Sequence, residues 1–218
     1  MAYVKVCYAF LELDEPIRIT ATQLRGYVGY LFIEDTEFHH HMDNPYHYPL
    51  IQYKKVKNKP MIMGFGEYAD ILFRKVSSLE KILVSGADNA KVRSVELKQE
   101  VVAIEKKPAN YRFVSPWIAL NERNHRIFVG ADYHGKSELL KKILAANILS
   151  MLKGLKVFVD FRISIDEVKH TAPFLTRAHG NTFWGFRPEF TANISLPRYA
   201  GLGKSVSKGF GTVDIIDS

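Results

Sequence analysis

Over the first 106 residues the spacing of apolar side chains switches between two periods in a fixed order, and that order admits few folds. Residues 3–13 are rich in Val, Tyr and Phe and read as a strand, closed by Asp14, Glu15 and Pro16. A helix follows, with Thr20 at its N-cap and Gln23 three residues on, the pattern of a reciprocal cap. Leu24, Tyr27, Val28, Leu31 and Phe32 recur at helical spacing and form its apolar face. Residues 50–57 and 61–66 read as strands on either side of Asn58, Lys59 and Pro60. Tyr68, Ile71, Leu72, Val76, Leu79, Ile82 and Leu83 predict a second helix stopped by Gly86, and residues 92–106 a fourth strand. The order β-α-β-β-α-β is that of a ferredoxin-like unit.

The rest of the chain repeats this order imperfectly. Residues 112–114 and 126–129 are strand-like, and a helix is expected from about Ser137 to Lys153, with Gly154 as its stop. Val157, Val159, Phe161, Ile163 and Ile165 alternate as a half-buried strand does, and residues 190–196 and 212–216 supply two more. A second helix has room only as a short turn between Arg198 and Lys208. The fold expected is therefore α+β, two tandem ferredoxin-like (βαββαβ) units over 1–109 and 110–218, the second imperfect. With 47% hydrophobic residues such a chain buries a true core. Its net charge of +7 favours an acidic partner, nucleic acid before membrane. The single Cys7 excludes an intrachain disulfide and fits a reducing cytoplasm. No signal peptide and no run of membrane-spanning length is expected.

Three stretches carry candidate chemistry. The first is Gly201-Leu-Gly203-Lys204-Ser205-Val-Ser-Lys208-Gly209-Phe-Gly211, two Gly-x-Gly pairs around a five-residue insert. Glycine lets a ligand backbone approach closely, loop N–H groups make anion-binding concavities, and the lysines add charge. Arg198 lies just before it, and no acidic residue interrupts 190–213. The second stretch, Gly130 to Ser137, matches the phosphate-binding pattern Gly-x4-Gly-Lys-Ser, with Asp160 available as a magnesium ligand. Too little chain follows for a parallel nucleotide-binding sheet, so the expected alternative is a strand-to-helix turn with Ser137 capping the helix and Lys136 solvated. The third is residues 34–49, holding His39, His40, His41 and His47. It admits a metal site with Asp43, a solvated loop, or proton transfer near neutral pH. Lys54, Lys55, Lys57 and Lys59 extend a basic path or form solvated strand edges. His179, Trp184 and Arg187 make an aromatic and basic stretch suited to base contacts, with no assigned role.

The glycine spacing, followed at once by a C-terminal strand, resembles the glycine-rich loop of the CRISPR RNA-processing endoribonucleases, the sixth family of CRISPR-associated proteins. The histidine-rich early loop is similar to that of the family's subtype-b branch. The resemblance implies metal-independent cleavage of CRISPR repeat RNA in precursor transcripts, leaving a 2′,3′-cyclic phosphate and a 5′-hydroxyl, with no cofactor. It implies His39, His41 and Tyr48 as catalytic residues. By the same resemblance Arg198, Gly201, Gly203, Lys204, Ser205, Lys208, Gly209 and Gly211 bind RNA. The partners implied are CRISPR repeat RNA, a second copy of the chain, and subunits of a CRISPR effector complex, with no membrane. A non-catalytic RNA-binding subunit of such a complex is the alternative, and a P-loop nucleotide-binding protein ranks after it.

Overall fold

The computed structural model describes residues 1–14, 19–31, 48–76, 79, 81–82, 90–169, 172–178 and 180–217. They separate into two compact units, one of residues 3–102 with 207–209, the other of 1–2, 103–206 and 210–218.

In the first unit β1 (Ala2–Leu13) is followed by α1 (Ala21–Leu31), β2 (Ile51–Val56), β3 (Lys59–Phe65), α2 (Glu67–Lys75), β4 (Lys81–Ile82) and β5 (Ala90–Ile104). The expected cap of α1 is present. The Gln23 N–H donates to Thr20 Oγ1 at 3.2 Å, and the Thr20 N–H donates to Gln23 Oε1 at 2.9 Å. Leu24, Tyr27 and Val28 are buried in a core with Cys7, Leu11 and Leu72. The β2–β3 turn is Lys57-Asn58, at φ 47° and 69°, so Lys59 and Pro60 open β3 instead of forming the turn. The second helix is shorter than its apolar spacing suggests. It ends at Lys75, capped by Val76, and Lys81 and Ile82 pair with Lys91 and Ala90 as strand. The sheet runs β2-β3-β1-β5-β4.

The second unit contains β6 (Ala109–Phe113), α3 (Glu122–Gly130), α4 (Tyr133–Gly154), β7 (Ile165–Lys169), β8 (Phe174–Ala178), β9 (Asn181–Gly185), β10 (Glu189–Ala192) and β11 (Val213–Ile215). Its main sheet runs β11-β6-β10-β7, and β8 and β9 form a separate hairpin. Numbered by appearance, and setting the short β4 and the hairpin aside, both sheets have the order fourth-first-third-second. This supports two ferredoxin-like units, with the last helix reduced to a 3-10 turn at Val206–Lys208. Tyr111 anchors the second core. Its hydroxyl donates to the Ile194 carbonyl at 2.9 Å and accepts from the Leu196 N–H at 2.9 Å, while its ring stacks on Phe190.

Two expected strands are absent. Residues 126–129 belong to α3, whose N-cap Asn121 accepts from the Asn124 N–H, and only Phe128 of that run is buried. Residues 157–164 carry no strand, although burial does alternate there, with Val157 and Ile163 buried and Phe158 92% exposed. The phosphate-loop match also dissolves. It begins at the end of a helix, and Gly135, Lys136 and Ser137 lie inside the first turns of the next. The cap is Asp132, not Ser137, accepting from the Gly135 N–H at 2.7 Å. The Lys136 N–H donates to the Asp132 carbonyl, and its ammonium lies over the Phe128 ring instead of in solvent alone. The N–H groups a phosphate would need are thus engaged in starting a helix.

Candidate active site

The ends of the glycine-rich stretch are laced together. Gly201 bridges Thr212, the Leu202 N–H donates to the Gly211 carbonyl at 2.8 Å, and the Gly211 N–H donates to the Pro116 carbonyl at 2.8 Å. A Cβ on Gly211, at φ +62°, would lie 1.9 Å from the Leu202 carbonyl oxygen. One on Gly203 would lie 2.7 Å from Trp117 Nε1. At these two positions the missing side chain admits the protein's own atoms, which corrects the expectation that the glycines make room for a ligand. Lys204 is exposed, and its ammonium donates to the Leu120 carbonyl at 3.4 Å. Ser205 adopts φ 59° at the turn.

Residues 207–209 are grouped with the first unit and meet basic groups there. Arg25 of α1 donates from Nη1 to Ser207 Oγ at 3.3 Å. A Cβ on Gly209 would come 2.6 Å from Ala21 Cβ and 3.1 Å from the Tyr53 carbonyl. Burial lowers the pKa of Arg25, and burial followed by repulsion from Arg25 lowers that of Lys208. Lys54 is 1% exposed, and burial pulls its ammonium down to about 7. It is therefore neither a surface path nor a solvated edge, while Lys59 pairs with Glu12. The Tyr53 hydroxyl is buried with no hydrogen-bond partner among the described residues, and burial raises its pKa. The lowered pKa values of Arg25 and Lys208 reflect charge held partly out of water, with a like charge beside Lys208, and a bound anion would favour the charged forms. A phosphodiester is such an anion, and an unpartnered phenol can donate to it.

Of the expected catalytic residues, His39 and His41 lie outside the described residues, as do His40 and His47. They fall on the chain between α1 and β2, the elements that carry Arg25, Tyr53 and Lys54. Tyr48 is half-buried, its ring tilted against Phe65 at 6.0 Å. Arg198 is held elsewhere. Its guanidinium meets Asp214 at 3.1 Å and Asp217 at 2.7 Å, and the hydrogen bond to Asp217 leads the causes that raise its pKa. Reasoning from sequence missed Arg25 and Tyr53, which stand beside core residues on α1 and β2 with no local motif to mark them.

The comparisons with known proteins cover both units. Residues 2–102 match the Cas6b N-terminal domain and residues 103–216 the Cas6b C-terminal domain. The uncharacterized protein MJ0978 of Methanocaldococcus jannaschii is 42% identical over 118 residues, which are 54% of this chain and 80% of that protein. A crystal structure of Cas6b is 28% identical, with a TM-score of 0.85, over 99% of this chain and 100% of the other. A CRISPR RNA processing endoribonuclease Cas6b is 27% identical, with a TM-score of 0.74, over the same shares. With both domains matched in order and the whole fold shared, the chain belongs to the Cas6b family.

Proposed function

We propose that this protein is an endoribonuclease that cleaves CRISPR repeat RNA without a metal ion. The observation that carries this reading is the half-buried pair Arg25 and Lys208 beside a Tyr53 hydroxyl that has no hydrogen-bond partner among the described residues, in a chain matched by both Cas6b domains. In the reaction a base takes the proton of a ribose 2′-hydroxyl, and that oxygen attacks the adjacent phosphorus in line. The bond from phosphorus to the 5′-oxygen breaks, and an acid returns a proton to that oxygen. Atoms balance with a 2′,3′-cyclic phosphate and a 5′-hydroxyl as products. His41 acts as base or acid, contributing about 10²–10⁴-fold, and His39 shares the proton traffic. Tyr48 donates a hydrogen bond from its hydroxyl to the phosphate or the leaving oxygen. Lys204 and Lys208 hold phosphates.

The test is end mapping of repeat RNA cut in excess chelator, alongside an RNA with one 2′-deoxy substitution upstream of the scissile phosphate. Cyclic-phosphate ends, cutting that persists with chelator, and a deoxy RNA that binds uncut are expected. Cleavage of the deoxy RNA at a comparable rate would overturn the mechanism, since a water nucleophile needs no 2′-hydroxyl. A protein that binds the repeat and leaves it whole is a binding subunit instead.

A further inference from the structure

Within the second unit a cavity of about 340 Å³ opens between the start of α3 and the β8–β9 hairpin. We propose that it holds one unstacked base of the bound RNA. The inference rests on the endoribonuclease reading above and adds to it a base-recognition site. The size lies at the lower end of the roughly 300–1,000 Å³ of small-molecule sites, as a single base requires.

Its walls suit a base. Leu120, Leu175, Phe183 and Trp184 supply the apolar part, and Leu175, directly across from Trp184 in the hairpin, is 70% exposed. Leu175 and Trp184 thus present adjacent apolar surface on one face of the hairpin at the cavity. The edge of the cavity is polar. Asn121, Glu122, His125 and Thr182 offer both donors and acceptors, the pattern that reads a Watson–Crick edge. The His125 ring already meets Trp184 at 4.4 Å and 65°, which fixes that wall. Lys204 of the glycine-rich stretch borders the same cavity. A cation beside an aromatic hollow fits a nucleotide, phosphate outside and base within, better than an apolar peptide.

Trp184 also reports on the site, because the other tryptophan, Trp117, is fully buried. The experiment is titration of the whole protein with octameric single-stranded RNA and with an abasic oligomer of equal charge, followed by tryptophan fluorescence and by filter binding. RNA is expected to quench the emission and the abasic chain to leave it nearly unchanged. Leu175→Glu and Trp184→Ser are expected to weaken RNA binding about tenfold, the scale of losing one stacked base. Leu175→Glu, at an exposed position, keeps the test sound if Trp184→Ser unfolds. If wild-type protein binds and cuts RNA and Leu175→Glu binds as well as wild type, the base pocket is overturned and the endoribonuclease reading stands. If Leu175→Glu loses only a protein partner, the cavity is a protein-docking site and the proposal falls. If wild-type protein binds no RNA at all, both fall together.

Discussion

The two units share one strand order and use their helices differently. In the first, α1 and α2 both cover the sheet, and each begins or ends on a local signal, the Thr20–Gln23 cap and the Gly66 turn. In the second, α4 runs for 22 residues, while the place of the last helix is taken by a glycine-rich stretch containing one 3-10 turn. A helix satisfies its own backbone groups. A loop must find partners elsewhere, here the Pro116 and Leu202 backbone, and needs glycine where those partners come close. The second unit has thus exchanged self-sufficient structure for a segment that carries Lys204.

Glycine substitution tests this contrast most severely. Gly211→Ala puts a methyl against the Leu202 carbonyl at positive φ and is expected to cost about 3 kcal/mol or more. Gly66→Ala, also at φ +60° but with nothing within 4 Å, carries backbone strain without the clash and should cost less, about 2 kcal/mol. Equal losses in urea unfolding would mean that the tight approach in the second unit relaxes freely.

Lysine burial gives the next contrast. Lys54 in the folded first unit releases its proton near pH 7, whereas the unfolded lysine does so at about 10.4. Between those values the unfolded chain binds more protons, so stability rises with pH across the window, by up to about 1.4 kcal/mol per unit. Lys54→Met should remove that rise and be more stable than wild type at pH 6. A constant difference between the two from pH 6 to 9.5 would show that the buried ammonium stays charged.

For RNA binding the two units are expected to contribute alike. Lys204→Ala and Lys208→Ala should each flatten the salt dependence by about 0.7 log units, and a slope changed by only one of them would leave the other structural. The smallest effects are at the helix starts. Thr20→Ala and Asp132→Ala should each cost about 1 kcal/mol in thermal unfolding. A much smaller loss at Asp132 would show that 22 residues of packed helix no longer depend on their cap.

What could be read from sequence was local. The Thr20–Gln23 cap, the apolar face of α1 and the glycine spacing each lie within a dozen residues and needed no tertiary knowledge. The misreadings came where one pattern serves two structures. Arg126-Ile127-Phe128-Val129 looks like a strand, yet Ile127 and Val129 are exposed on a helix whose Asn121 cap was the better signal. The Gly130–Ser137 match failed because spelling does not say whether a glycine ends a strand or a helix. Lys54 could not be recognised as buried, because its loss of water comes from chain far from it in sequence. The glycines of the terminal stretch were found by spacing, but the reason for Gly203 and Gly211 lies in Trp117 and Leu202.

The hydrogen bond from Arg25 to Ser207 sets an order of events during synthesis. Its two partners lie 182 residues apart, and at about 5–20 residues per second the ribosome needs on the order of ten to forty seconds to pass from one to the other. For most of that interval a nascent chain has made α1 and β2 but not yet Ser207, Lys208 and Gly209. On the proposed reading the phosphate site is complete only once residue 209 has been made, so cleavage by the growing chain waits for that segment.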